Sequence, residues 1–209
     1  MKQIILLGAG GHAKVLLDIL LQEGANVVGI LDKEPAAGEL YGVPILGNDE
    51  AIAAFSPEDT RLVNGLGSVG SVKLRRKLYE KFTAQGFGFR RVIHGGATVS
   101  PRARIGAGAQ IMGGATVNID AVIGEDAIIN TGASVDHDTI IGEHTHIAPG
   151  ATISGGVVIG AGSHIGAGAT IIQGVTVGEN VIVGAGSVVL RDIASGQTVW
   201  GVPAKTSRA

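Results

Sequence analysis

The chain has 209 residues, of which 45% are hydrophobic and 3% aromatic, with no cysteine and a formal net charge of −2 at pH 7. This charge gives no bulk electrostatic reason to expect nucleic acid or a membrane surface as a partner. Without cysteine there is no disulfide, no thiolate metal ligand and no cysteine nucleophile. No apolar run approaches the ~20 residues that a membrane span requires, and we expect a cytoplasmic protein.

Residues 1–90 predict an α/β domain, and they contain most of the Lys and Arg and all but one of the aromatic residues. The pattern is half of a doubly wound sheet, a half-Rossmann domain that is too short for a complete NAD domain. We interpret Arg75, Arg76 and Lys77 as the solvated face of its last helix. The predicted elements are a strand at 4–7, a helix at 12–22, a strand at 26–31, a short helix after residue 49, a strand at 61–64 and a helix from about 72 to 84.

Two glycine turns follow parallel strands at their carboxyl ends, where such sheets bind ligands. The first has the dinucleotide pattern Gly8-x-Gly10-x-x-Ala13 and opens a helix, whose first N–H groups suit phosphate oxygens. One interpretation is that these glycines only form tight turns. The other is a site for a nucleotide pyrophosphate or sugar, with contacts from Gly10, Gly11, His12, Asp32, Lys33 and Gly67.

From Ile93 to Val189 an Ile or Val occurs at every sixth position, without a register slip. Each hexad predicts one short strand and its turn, and stacking buries the aliphatic residue that a single hexad leaves exposed. Helices need apolar spacings of three and four instead. The period resembles the left-handed parallel β-helix of the hexapeptide acyltransferases, in which three hexads form one triangular coil. At ~4.8 Å per coil the stack is roughly 25 Å tall.

Three of the five histidines after residue 90 fall within ten residues, His137, His144 and His146. His137 lies between Asp136 and Asp138. A carboxylate that holds one imidazole nitrogen lets the other accept a proton, as a general base requires. Neighbours in a straight strand point to opposite faces, so only a corner brings either carboxylate to the ring. The alternative is a surface histidine among solvated charges.

His146 and His164 are one coil apart and should stack on the same edge of the prism, as a metal site or as a polar ladder. The β-helical carbonic anhydrases use two histidines five residues apart, and no pair here has that spacing. We therefore expect no metal.

The tail leaves the repeat with Trp200 and Pro203. It is expected to cap the open strand edge of the last coil, or to line a cofactor channel. The predicted organisation is an α/β half-Rossmann domain over residues 1–90, a left-handed parallel β-helix of hexapeptide repeats over 91–195, and a capping tail over 196–209.

Four motifs follow one another along the chain: GAGGHAK at residues 8–14, INT at 129–131 with VDHD at 135–138, HTHIAPGA at 144–151, and GVPAK at 201–205. Together they resemble the sugar acyltransferase family of sialic-acid O-acetyltransferases and bacillosamine-pathway N-acetyltransferases. The resemblance implies homotrimers with active sites at subunit interfaces. It also implies acetyl-CoA as co-substrate between neighbouring β-helices, and a nucleotide-linked amino sugar on the N-terminal domain.

The resemblance implies a role for individual residues. His137 is the base, Asp138 raises its basicity, and His146 lies near the thioester. The implied cofactor contacts are His146, Gly155, Ala167 and Ala185, and the implied substrate contacts are Gly11, His12, Ala13, Asp32, Lys33 and Gly67.

The sequence thus predicts N-acetylation of the 4-amino group of a nucleotide-linked amino-dideoxy sugar, by direct transfer from acetyl-CoA without an acyl-enzyme. A UDP sugar of bacillosamine-type glycan biosynthesis is favoured, although UDP, GDP and dTDP are not distinguished. One alternative is O-acetylation of sialic acid or a similar sugar. Another is a non-catalytic β-helix that binds a nucleotide sugar or a metal.

Overall fold

The structure is a computed structural model that describes residues 2–33, 38–68 and 71–206. It divides into two compact units. The first contains Met1–Gly67 and Leu74–Val92, and the second contains Ser68–Lys73 and Ile93–Ala209. Within the described ranges, no helix has the length and apolarity needed to cross a membrane.

The first unit is a six-stranded sheet in the order β3-β4-β2-β1-β5-β6. β3 runs antiparallel to β4, and the other pairs are parallel. The chain leaves β1 toward β2 and later returns to β5 on the other side, so the carboxyl ends of β1 and β5 form a topological switch point. The elements are β1 (Gln3–Leu7), α1 (Gly11–Gln22), β2 (Val27–Leu31), β3 (Glu39–Leu40), β4 (Val43–Gly47), a 3₁₀ helix (Asp49–Ala54), β5 (Thr60–Asn64), α2 (Lys73–Ala84) and β6 (Gly88–Phe89).

The predicted elements of this unit agree with the observed ones to within a residue or two, but β3, β4 and β6 were not predicted. The interpretation of Arg75 as a solvated residue is wrong, because its side chain is only 1% exposed. Arg75, Tyr79 and Phe82 share the buried face of α2, at helical spacings of four and three. Arg76 and Lys77 are exposed as predicted.

The second unit is a parallel β-helix of two-residue strands that begin six residues apart from β7 to β23. The strands are β7 (Val92–Ile93), β8 (Thr98–Val99), β9 (Arg104–Ile105), β10 (Gln110–Ile111), β11 (Thr116–Val117), β12 (Val122–Ile123), β13 (Ile128–Ile129), β14 (Ser134–Val135), β15 (Ile140–Ile141), β16 (His146–Ile147), β17 (Thr152–Ile153), β18 (Val158–Ile159), β19 (His164–Ile165), β20 (Thr170–Ile171), β21 (Thr176–Val177), β22 (Ile182–Val183), β23 (Val188–Val189), β24 (Thr198–Trp200) and β25 (Lys205–Thr206).

Three sheets form the faces of the coil. Face 1 contains β7, β10, β13, β16, β19, β22, β24 and β25, face 2 runs from β8 to β23, and face 3 from β9 to β21. Each strand pairs with the strand one coil on, as His146 does with His164. From Ile111 to Val189 every sixth-position Ile or Val is buried, together with small residues such as Ala109. The hexad prediction is therefore confirmed.

One corner residue has a left-handed backbone in each hexad from that of Ile105 to that of Val183. Positive φ recurs every six residues from Gly108 to Gly186. Most of these residues are glycine, which adopts this conformation without steric cost, whereas Asp and Asn tolerate it better than other residues. The non-glycine members are Asp120, Asp126, Asp138, His144 and Asn180.

The tail covers the last coil. β24 pairs in parallel with β22, and β25 folds back antiparallel onto β24. The Val188 N–H donates to the Gly201 carbonyl, and the Ala204 N–H donates to the Val188 carbonyl. The tail thus pairs with the last coil strand of face 1 and bonds the Val188 backbone in the last strand of face 2. Residues 207–209 of the predicted tail lie outside the described residues.

Candidate active site

His137 lies on the second corner of the coil, which joins face 2 to face 3 between β14 and β15. The next residue, Asp138, has φ +57°. In a strand, the side chains of His137 and Asp138 would point to opposite faces, but the left-handed turn brings them to the same side. Asp138 Oδ2 therefore lies 2.8 Å from His137 Nδ1. Asp138 therefore holds the ring. With Nδ1–H donating to the carboxylate, Nε2 keeps the lone pair that a base needs.

Asp136 holds the backbone of the same turn rather than the ring. Its Oδ1 accepts the His137 N–H at 2.8 Å and the Asn118 Nδ2 at 2.9 Å. Asn118 comes from the preceding coil at the same corner. The hydrogen bond from the His137 backbone is the main reason that the pKa of Asp136 is lowered.

The two carboxylates make His137 a stronger base than an isolated histidine. The hydrogen bond to Asp138 is the main cause that raises the pKa of His137, followed by the negative charge of Asp136. The imidazole is 55% exposed. A reactive group outside the protein can therefore reach it.

Gly155 provides the space in which the imidazole lies. It occupies the same corner one coil after His137, and a Cβ at this position would be 2.6 Å from the ring Cε1 and 2.7 Å from Nε2. A side chain at residue 155 would displace the ring. The structure thus brings together three residues of the predicted site, His137, Asp138 and Gly155.

His146 has a different environment, because it lies on face 1 and is only 7% exposed. Its Nε2 is 3.0 Å from Asn130 Nδ2, and its Nδ1 is 2.7 Å from Ser68 Oγ and 3.0 Å from the Ser68 carbonyl oxygen. With the Asn130 amide donating to Nε2, Nδ1 carries the proton and donates to Ser68. Both ring nitrogens are engaged, and neither contacts the His137 corner within the described chain.

The other histidines of the cluster are separated by the fold. His164 stacks edge-on against His146 at 5.0 Å, as its one-coil spacing predicts. Burial lowers the pKa of His164. His144 lies at the corner between faces 3 and 1, where its Nδ1 is 3.1 Å from the buried Asp126 Oδ2. Among the residues that the structure describes, no three His, Cys, Asp or Glu side chains are grouped so as to hold a metal ion.

Ala167 and Ala185 lie at the first corner, between faces 1 and 2. They are exposed and one coil apart, and the Gly186 N–H donates to the Ala167 carbonyl at 2.8 Å. The predicted cofactor contacts of one chain therefore form two groups. Gly155 is beside His137 at the second corner, whereas the two alanines and His146 are elsewhere on the coil.

In the first unit, the predicted substrate contacts lie around the two glycine turns. Gly11 begins α1, and a Cβ at this residue would meet nothing within 4 Å. A Cβ at Gly67 would lie 3.3 Å from His12 Cβ. Ala13 is fully buried in the chain, backbone included.

Asp32 and Lys33 follow β2 at the same edge of the sheet. The Asp32 Oδ2 accepts the Ala9 N–H at 2.6 Å, so this carboxylate braces the first glycine turn. Lys33 is exposed.

Sequence reasoning gave no role to two asparagines that hold these groups. Asn118 precedes Asp136 by one coil, and Asn130 precedes it by one hexad. Their common place in the hexad, one residue after the buried aliphatic residue, was the available signal. The contact between Ser68 and His146 had no signal, because the two residues are far apart in the chain.

Comparison with known proteins identifies both units. The family model for the PglD N-terminal domain matches residues 3–82, and the model for bacterial transferase hexapeptide repeats matches residues 120–155 and 156–191. No curated protein sequence matched the chain significantly.

Several solved structures match the whole chain. PerB from Caulobacter crescentus, in complex with CoA and GDP-perosamine, is 41% identical with a TM-score of 0.91, and the match covers 100% of this chain and 98% of that one. The acetyltransferase domain of PglB from Neisseria gonorrhoeae, in complex with acetyl coenzyme A, is 38% identical with a TM-score of 0.90 and 99% coverage of each chain. WeeI from Acinetobacter baumannii, at 22% identity and a TM-score of 0.85, shares the fold.

These matches confirm the predicted fold class, a Rossmann-like part followed by a left-handed β-helix of hexapeptide repeats. Two further matches are variants of the Caulobacter perosamine N-acetyltransferase in which one histidine is replaced by Asn or Ala. The chain belongs to the hexapeptide-repeat family of sugar acyltransferases.

Proposed function

We propose that this chain transfers the acetyl group of acetyl-CoA to the 4-amino group of a nucleotide-linked amino sugar, with His137 as the general base. The observation that carries the proposal is the exposed imidazole whose Nδ1 lies 2.8 Å from Asp138 Oδ2. The complex of PerB with CoA and GDP-perosamine supports the same class of co-substrate and acceptor. Acetyl-CoA and nucleotide sugars are cytoplasmic metabolites, and we place the reaction in that compartment.

The reaction needs one base and no covalent intermediate. The sugar nitrogen attacks the thioester carbonyl carbon and forms the C–N bond, while His137 Nε2 takes a proton from that nitrogen. The tetrahedral intermediate then expels CoA by breaking the C–S bond, and the thiolate takes up the proton that His137 removed, which restores the neutral base. A backbone N–H that donates to the oxyanion contributes about 3 kcal/mol. Asp138 stabilises the imidazolium that forms during the transfer.

The two groups of predicted cofactor contacts support a site shared between copies of the chain. In this proposal acetyl-CoA contacts Gly155 beside His137 on one copy and Ala185 at the first corner of a second copy. Next to the His137 corner, face 3 presents a column of aliphatic side chains in register: Val122, Ile140 and Val158. Ile140 is 46% exposed. We assign this column to the contact between copies in a homotrimer.

Complementation between two inactive variants tests the shared site. His137→Ala removes the base at one corner, and Ala185→Trp fills the first corner. If the site is shared, mixed oligomers of the two variants recover part of the activity that neither variant has alone. Mixed oligomers whose composition is verified by mass spectrometry and that recover no activity would contradict a shared site.

The activity itself is tested with acetyl-CoA and a panel of UDP-, GDP- and dTDP-linked 4-amino-4,6-dideoxy sugars. CoA release is followed as free thiol, and the product by mass. Turnover of one sugar with a mass gain of one acetyl group supports the proposal and identifies the nucleotide. Binding of acetyl-CoA without turnover of any amino sugar would contradict it in favour of a hydroxyl acceptor such as sialic acid.

A further inference from the structure

The second glycine turn, Gly65 to Gly67, is held from its buried side by Arg75. The Arg75 Nη1 donates to the Asn64 carbonyl at 3.0 Å and to the Leu66 carbonyl at 2.6 Å. In return the Asn64 Nδ2 donates to the Arg75 carbonyl at 3.2 Å, and Asn64 Oδ1 accepts the Leu66 N–H at 3.3 Å. The start of α2 and the turn are thus joined by reciprocal hydrogen bonds.

These bonds determine the direction in which the peptide groups of the turn point. In a planar trans peptide the C=O and N–H bonds point in opposite directions. The peptide between Asn64 and Gly65 illustrates this, because its carbonyl accepts from Arg75 while its N–H donates to the Leu7 carbonyl at 2.8 Å. The carbonyl of the next-but-one peptide, at Leu66, also points toward the buried guanidinium. The Gly67 N–H of that peptide therefore points away from Arg75, and Gly67 is exposed.

The two glycine turns also fix each other. A Cβ at Gly65 would lie 2.5 Å from the Leu7 carbonyl oxygen and 2.8 Å from Ala13 Cβ, and a Cβ at Gly8 would lie 3.0 Å from Leu66 Cδ1. A shift of the second turn would therefore disturb the first. Burial of a guanidinium is costly unless its hydrogen bonds are well placed. The two carbonyl bonds give Arg75 a role that a buried Met of similar size could not fill.

We infer that Arg75 is a positioning residue that turns the Gly67 N–H outward as a donor for a phosphate oxygen of the nucleotide-linked substrate. This inference rests on the proposed function and adds to it a specific anion contact. The positive charge also polarises the Leu66–Gly67 peptide, because hydrogen bonds in series strengthen one another. Arg75 itself stays buried and does not touch the ligand.

The test compares nucleoside diphosphates with their nucleosides, since only the former carry phosphate. Calorimetric titration of the native protein with UDP, GDP, dTDP and the matching nucleosides identifies the preferred nucleobase. It also gives the ratio of the nucleoside dissociation constant to the diphosphate dissociation constant. In Arg75→Met we expect this ratio to fall by roughly 10- to 100-fold, the size of one charge-assisted hydrogen bond, while nucleoside affinity changes little. Arg75→Lys keeps the positive charge but not the guanidinium group that donates to two carbonyls. The fall in the ratio should be intermediate in this variant. This variant carries the test if Arg75→Met does not fold.

Lys77→Met is the matched control, because it removes an exposed cation two residues away and should leave the ratio unchanged. Equal losses of nucleoside and diphosphate affinity in the Arg75 variants would overturn the inference and leave the proposed function intact. An equal effect of Lys77→Met would do the same, since it would indicate a general charge effect. Native protein that binds none of the diphosphates would overturn both the inference and the nucleotide part of the proposed function.

Discussion

His137 and His146 are nine residues apart in the chain, yet the fold gives them opposite environments. His137 stands on a corner, more than half exposed, with Nδ1 held by Asp138 and Nε2 beside Gly155. His146 lies on a face, buried, with Asn130 on one nitrogen and Ser68 on the other. The first can exchange a proton with a ligand, whereas the second is saturated by its own chain.

The difference follows from the place of each residue in the hexad. His146 is a strand residue, so its side chain stands perpendicular to a sheet and can be covered. His137 comes two residues after a buried Val, just before the left-handed position at Asp138. A histidine placed at a corner can therefore pair with its sequence neighbour, and one in a strand cannot.

Removal of His137 should have the largest effect. In His137→Ala we expect kcat to fall by about 10² to 10⁴, the usual contribution of a general base. CoA release under saturating substrates measures it. His94→Gln is the control, because the His94 Nδ1 accepts the local Gly96 N–H at 2.8 Å and the substitution should leave kcat unchanged. An unchanged rate in His137→Ala would remove this residue from the mechanism.

Crowding of the His137 ring should have the next largest effect. Gly155→Ala places a methyl group within 2.7 Å of Nε2, and a displaced base is expected to lower kcat by about 10- to 100-fold. Gly95→Ala changes the same hexad position, where a Cβ meets nothing within 4 Å. Equal rates for the two alanine variants would mean that the ring does not need this space.

Asp138 and Asp136 should determine the pH at which kcat/KM falls on the acidic side. A base must be neutral, so activity falls as the pH drops through the pKa of His137, which is raised above its ordinary value of 6.5. Asp138→Asn keeps a residue that tolerates the left-handed turn but removes the charge, and should move the acidic limb of kcat/KM to lower pH. Asp136→Asn should move it in the same direction by a smaller amount. A limb that stays in place in both variants would contradict the electrostatic role.

His146 should matter least to the proton transfer and most to the fold around it. His146→Ala leaves the Asn130 amide and Ser68 without their ring partner, and we expect a loss of about 1–3 kcal/mol in the free energy of unfolding. The acidic limb should stay where it is. Denaturant unfolding and the pH profile of the same preparation measure both, and a shifted limb would show that His146 shares the proton.

The sequence was sufficient for the period of the β-helix, which depends on spacing along the chain, and it indicated His137 as a candidate base because two aspartates flank it. It could not decide between Asp136 and Asp138, since that choice depends on the φ of one corner residue. Arg75 was misjudged because its basic neighbours suggested an exposed face, although its spacing to Tyr79 and Phe82 indicated a buried one. The contact of Ser68 with His146 joins residues 78 positions apart, which no local pattern reveals.

A direct titration of the imidazoles by NMR tests whether the two carboxylates make His137 a stronger base than an ordinary histidine. The His137 resonance is assigned as the one that disappears in His137→Ala. We predict that it titrates above pH 6.5, that its midpoint falls in Asp138→Asn, and that His164, whose pKa is lowered by burial, titrates below 6.5. A His137 midpoint at or below 6.5 that does not respond to Asp138→Asn would contradict this role of the carboxylates.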